Sequence, residues 1–304
     1  MPNSKPSLEI KGIIPAMVTP FNEDESLNTD GLRKLTEHLI AGGAHGLFPT
    51  GSQGEFYALT PSERQCVWEV VIEATNGRVP VYAGTGAVTT QEVIALNRMA
   101  EQAGIQAVSV LTPYFINPTQ EELYRHYSEI ADATTLPVLL YNNPGRTGGL
   151  ALSPNLVARL ASHPNIAGVK DSGGDFSITM AYLSSTPDDF VVLLGRDTLI
   201  YAGFVHGAQG AITATANVAP RVAADIYDAF IAGDGARALA SQERLAPLRQ
   251  AFALGTFPVV AKEALTMIGI PAGPARSPVG PMTPDQRAKL RDVLIGMGFA
   301  VDPA

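Results

Sequence analysis

The chain has 304 residues, 46% of them hydrophobic and 16% charged, with a formal net charge of -8 and no lysine or arginine cluster. That balance excludes nucleic acid and anionic membrane as partners, and no apolar run approaches the ~20 residues needed to span a bilayer. A lone cysteine, Cys66, in an apolar helical run excludes an intramolecular disulfide and reads as a core thiol, and residues 1–11 lack the apolar stretch of a signal peptide, so a soluble, cytoplasmic protein is expected.

Eight short apolar or β-branched runs recur, at 12–21, 46–51, 79–86, 107–115, 137–143, 166–172, 190–197 and 210–217. Each is followed by a polar turn and a helical pattern, the spacing of a strand plus a returning helix. Most are apolar throughout, as parallel strands covered on both faces are. Helix starts carry their own signals: Thr60-Pro61-Ser62-Glu63 and Thr119-Gln120-Glu121-Glu122 are capping boxes, and Ser153-Pro154 is a cap followed by proline. An open doubly wound sheet is the alternative, but its glycine-rich first turn is missing. The pattern predicts an α/β fold, a closed (β/α)8 TIM barrel spanning residues 1–232. Residues 219–232 supply its last helix. Helical patterns at 236–253, 259–268 and 283–297, with no clear strand, predict a helical C-terminal appendage over residues 233–304.

Chemistry in such a barrel sits on the loops after the C-terminal ends of the strands. Lys170 ends the run Ile166-Ala167-Gly168-Val169 and opens a glycine-rich loop. Burial disfavours the charged form of an amine, and a neutral amine attacks carbonyl carbons, the start of Schiff-base catalysis. The 51–55 turn, Gly-Ser-Gln-Gly-Glu, can present consecutive backbone N–H groups to a carboxylate; it equally suits an ordinary strand-to-helix turn. Tyr141 follows Val138-Leu139-Leu140 and is expected to leave its hydroxyl near the barrel mouth, a core tyrosine being the other reading. Arg146, on a Pro/Gly loop, can grip a carboxylate bidentately or sit on the surface.

The five histidines fall away from the strand ends, and no histidine–carboxylate set offers a metal site. Asp171 and Asp197 are thin support for Mg²⁺. There is no Walker loop, and Gly84-Thr85-Gly86 has Thr89 in place of the third glycine of a dinucleotide fingerprint. No Gly-x-Ser-x-Gly elbow occurs. What remains is a lysine, a tyrosine and an anion turn, a set for covalent carbonyl chemistry without cofactor or metal.

The motifs Gly-Ser-Gln-Gly-Glu (51–55), Tyr-Asn-Asn-Pro-Gly-Arg-Thr-Gly (141–148) and Gly-Val-Lys-Asp-Ser (168–172) resemble the dihydrodipicolinate synthase / N-acetylneuraminate lyase family of class I aldolases. The resemblance runs from about residue 12 to the final helices. It implies a homotetramer built as a dimer of dimers, with Lys170 forming a Schiff base with pyruvate or a related 2-oxo acid. Tyr141 takes the place of the proton-shuttling tyrosine. Ser52 and Gln53 take the places of the residues that hold the oxo-acid carboxylate and relay protons, Ile212 matches the residue whose carbonyl lies near the oxo acid, and Arg146 matches the arginine that receives the second substrate's carboxylate in the lysine-pathway synthases. Two departures stand out: Gln53 replaces a hydroxyl-bearing residue, and Phe115 replaces a tyrosine lent across a subunit interface. They shift the expectation toward a lyase or dehydratase of a 2-oxo-3-deoxy sugar acid, with 4-hydroxy-tetrahydrodipicolinate synthase as the alternative. A catalytically silent barrel that binds a 2-oxo acid is a third reading, which the joint presence of Lys170 and Tyr141 argues against.

Overall fold

The computed structural model describes residues 8–301; part of the segment read above for a targeting signal, and the last three residues, lie outside it. Seven parallel strands form one curled sheet, in the order β1-β7-β6-β5-β4-β3-β2. They are β1 (Gly12–Pro15), β2 (Tyr82–Gly84), β3 (Ala107–Leu111), β4 (Val138–Asn142), β5 (Ile166–Asp171), β6 (Val191–Leu194) and β7 (Gly210–Thr213). The eighth predicted strand, at 46–51, is reduced to single parallel bridges, Ala16 with Phe48 and Leu47 with Val81. Phe48 N donates to Pro15 O at 3.0 Å on one side, and Tyr82 N donates to Leu47 O at 2.8 Å on the other, which closes the TIM barrel. The run cannot extend the ladder: Pro49 has no N–H to donate, and Thr50 turns to a φ of 53°.

The strands are shorter than their apolar runs because the last residues of each run bend away as loops. Alternation along each strand sorts side chains into two layers. Ile14, Phe48, Tyr82, Leu139, Leu193 and Ile212 fill the barrel interior, whereas Ile13, Val138, Leu140 and Val169 pack outward against the helices. The predicted caps form: Thr60 and Thr119 make capping boxes with Glu63 and Glu122 at the starts of α2 (Pro61–Thr75) and α4 (Gln120–Asp132), and Ser153 caps α5 (Pro154–Leu160). Cys66 is only half-buried, because it lies beside the buried α2 stripe of Val67, Trp68 and Val71 rather than within it.

The other barrel helices are α1 (Thr29–Ala41), α3 (Thr90–Gln102), α6 (Phe176–Ser185), α7 (Ile200–Val205) and α8 (Pro220–Ile231), after which come α9 (Gly235–Ala251), α10 (Val259–Met267) and α11 (Pro284–Gly296), close to the three helical patterns in the sequence. No helix among the described residues is long and apolar enough to cross a membrane.

Candidate active site

A cavity of about 430 Å³ opens at the C-terminal ends of the strands, lined among others by Ser52, Gln53, Tyr141, Arg146, Lys170 and Ile212. All six residues singled out in the sequence therefore meet in one place. Register explains the innermost pair. β4 and β5 begin with Val138 opposite Ile166, slip by one residue, and then set Leu139 opposite Gly168 and Tyr141 opposite Lys170. Directly paired residues share a face, so both side chains turn into the barrel. Gly168 allows the close approach of β6, since a Cβ there would meet Val191 O at 2.3 Å.

Lys170 is 4% exposed. Its Nζ lies 4.1 Å from the centre of the Tyr141 ring and 5.1 Å from that of Phe48. The Tyr141 hydroxyl accepts from Asn143 Nδ2 at 2.9 Å. Burial on its own raises the pKa of Tyr141, but the neighbouring Lys170 charge, together with Ser52, Ser172 and Asn143, holds it below the ordinary value of 10. An amine beside a tyrosine of lowered pKa can attack a carbonyl and exchange protons with what it forms.

The 51–55 turn stands over this pair. Among the described residues, Ser52 Oγ and both amide atoms of Gln53 are buried and make no full hydrogen bond. The carbonyls of Gly51 and Ser52 are taken by the amides of Gly54, Glu55 and Phe56, and no such acceptor takes the amides of Ser52 or Gln53 among the described residues. Buried polar groups left open in this way are ready-made partners for a ligand.

Arg146 is exposed at the rim, with its guanidinium 4.5 Å from the centre of the Phe257 ring. Arg196 and Arg249 also line the cavity, and none of the three forms an ion pair with a carboxylate among the described residues. The sequence reading gave no role to Arg196 or Arg249, and none to the wall made by Phe252, Phe257, Val260 and Ala261, which comes from the helical C-terminal region. Asn143 was visible only as a neighbour of Tyr141.

The two carboxylates considered for Mg²⁺ are engaged elsewhere. Asp171 accepts from Asn142 Nδ2 and Gly173 N, each at 2.9 Å, and from Thr179 Oγ1 at 2.7 Å. Asp197 accepts from Thr215 N at 2.8 Å. Among the described residues no group of three or more His, Cys, Asp or Glu is placed to hold a metal ion. No histidine lines the cavity, although His38 is nearer a strand end than expected, with Nε2 3.1 Å from Asn217 O. Tyr114 packs on the cluster of Phe56, Leu111 and Tyr141 without lining the cavity, and Phe115 is 98% exposed at a φ of 74°.

The model of the dihydrodipicolinate synthetase family matches residues 9–296. The chain belongs to that family. It is accordingly a class I, Schiff-base-forming enzyme. The chain is 39% identical over 293 residues to the 4-hydroxy-tetrahydrodipicolinate synthase of Methanopyrus kandleri, a match covering 96% of this chain and 97% of the relative. Among solved structures it resembles a dihydrodipicolinate synthase from Acinetobacter baumannii complexed with pyruvate, with a TM-score of 0.93 and 36% identity over 96% of this chain and 100% of the other. It also resembles YagE, a prophage protein of this family from E. coli K12 in complex with pyruvate, with a TM-score of 0.92 and 35% identity over 96% and 99% of the two chains.

Proposed function

We propose that the protein condenses pyruvate with aspartate semialdehyde, as a 4-hydroxy-tetrahydrodipicolinate synthase. The observation that carries this is the placing of Lys170 Nζ against Tyr141 below a turn with open amides. The relatives' names favour this reaction over the sugar-acid reading that Gln53 and Phe115 suggested.

In this reading the Lys170 amine adds to the carbonyl carbon of pyruvate. Protons pass through Tyr141, assisted by Ser52, and water leaves to give the imine. The pyruvate carboxylate sits on the Ser52 and Gln53 amides, with the Gln53 side chain and the Ile212 segment beside it. Loss of a methyl proton gives an enamine, which attacks the aldehyde of the second substrate. Arg146 holds the carboxylate of that substrate, whose own amine then adds to the imine carbon and displaces the Lys170 amine, closing the ring and restoring the lysine. A homotetramer, a cytoplasmic location and a division near residue 232 belong to the same proposal, with residues 249–261 lending the barrel site its outer wall.

Turnover with pyruvate and aspartate semialdehyde, measured beside pyruvate release from a panel of 2-oxo-3-deoxy sugar acids, tests it. Faster condensation supports the synthase. Faster release from a sugar acid favours the second reading, which Phe115 supports because the exposed ring brings no hydroxyl to a relay.

A further inference from the structure

Glu55 and Lys262 are buried, oppositely charged and outside the cavity. Both side chains are 0% exposed, with Nζ of Lys262 2.7 Å from Oε1 of Glu55. The second carboxylate oxygen of Glu55 accepts from the backbone N–H of Arg276 at 2.9 Å, and Lys262 also donates to Pro274 O at 2.6 Å. Phe21 lies between two cations, its ring centre 4.1 Å from Lys262 Nζ and 4.4 Å from the Arg276 guanidinium carbon.

The pair joins two parts of the site. Glu55 is the last residue of the turn that carries Ser52 and Gln53, while Lys262 follows Val260 and Ala261 of the cavity wall on α10. The turn is strained at both ends: Thr50 and Glu55 have φ values of 53° and 55°. Residues without glycine's freedom hold such angles only where the surroundings impose them. At Thr50 the constraint lies within the barrel, since its hydroxyl accepts from Trp68 Nε1 at 2.7 Å and donates to Gly84 O at 3.0 Å. At Glu55 the side chain is held by Lys262 on α10 and by the Arg276 N–H in the connection that follows that helix. An ion pair this deep offers little net stability compared with apolar residues of the same shape, so stability alone is a poor account of it.

We propose that Glu55 and Lys262 are positioning residues: their buried contact ties α10 to the 51–55 turn and aims the Ser52 and Gln53 amides at the carboxylate of the bound 2-oxo acid. This rests on the Schiff-base reading of the site given above, and neither residue touches the reacting atoms.

The test uses borohydride trapping of pyruvate on the full chain, with half-saturation by pyruvate and maximal trapping rate read separately. Glu55→Asp keeps the charge and tolerates the left-handed backbone but draws the carboxylate back by one methylene. The double variant Glu55→Gln with Lys262→Met removes both charges without stranding either. In each, half-saturation rises about tenfold or more, the effect of weakening hydrogen bonds to a charged group, while the maximal rate stays within about twofold because Lys170 and Tyr141 are untouched. Lys262→Arg alone, which keeps a cation opposite Glu55, leaves half-saturation near the wild-type value. Wild-type half-saturation in Glu55→Asp, or in a folded double variant, overturns the proposal. If the double variant does not fold, Glu55→Asp decides alone. Failure of the wild-type protein to trap pyruvate at all refutes the Schiff-base reading instead, so the two failures are distinguishable.

Discussion

Tyr141 and Lys170 face one another because the pairing of β4 with β5 slips by one residue after Val138. Had the initial register continued, Tyr141 would lie opposite Val169, a residue that packs outward on the helices. The slip turns Lys170 inward instead, and sets its amine 4.1 Å from the centre of the Tyr141 ring. An irregularity in the ladder thus creates the candidate catalytic pair.

Tyr141→Phe removes the hydroxyl and keeps the ring against Lys170. Turnover is expected to fall by about 100- to 10,000-fold, the ordinary contribution of a positioned acid–base group, with little change in melting temperature. Steady-state kinetics and thermal unfolding together check it. Turnover within about tenfold of wild type would make Tyr141 a packing residue.

Asn143 donates to the Tyr141 hydroxyl and so favours its ionised form. Asn143→Ala removes one of the interactions that lower the tyrosine's pKa, and the pKa rises. If the ionised hydroxyl is the base, the acid limb of the pH–rate profile moves to higher pH, whereas an unmoved limb assigns that limb to another group.

His126 supplies a pH dependence of stability. It is buried, its Nδ1 lies 2.9 Å from Thr90 Oγ1, and Nε2 has no hydrogen-bond partner among the described residues. Burial lowers its pKa from 6.5 to about 4. The unfolded chain therefore binds the proton more readily between those values, so this contribution is full above pH 6.5 and is lost as pH falls toward 4. The loss is about 3 kcal/mol. Denaturant melts of wild type and His126→Gln across that range check it, and the variant should show a shallower fall.

The carboxylates of Asp171 and Asp197 are already engaged by backbone and side-chain donors. Activity is therefore expected to survive EDTA treatment in full. Loss on chelation, restored by Mg²⁺ or Zn²⁺, would give both residues a role that their hydrogen bonds do not suggest.

Phe115→Tyr tests the second substrate. If the missing hydroxyl limits the relay, the variant raises condensation with aspartate semialdehyde and leaves sugar-acid cleavage unchanged. No change in condensation would show that the relay runs without a hydroxyl at this position.

Much of the barrel was legible because parallel strands covered on both faces leave nearly continuous apolar runs, and the helix caps have local chemistry. The 46–51 run was read as a full strand since composition does not show how Pro49 and the turn at Thr50 shorten its pairing. Lys170, Tyr141 and the 51–55 turn stood out as polar residues at the ends of those runs. The wall at Phe252 and Phe257 did not, because helical periodicity is silent on which connection folds over the barrel mouth. Lys262 was equally hidden: in sequence it is one lysine in an apolar helix, and only the tertiary fold brings it to Glu55.

The most direct measurement is mass analysis of the protein after incubation with pyruvate and borohydride. One reduced adduct per chain, on the peptide that contains Lys170 and absent from Lys170→Ala, is the predicted result. An unmodified protein, or an adduct on any other lysine, would contradict the assignment of Lys170 as the Schiff-base nucleophile.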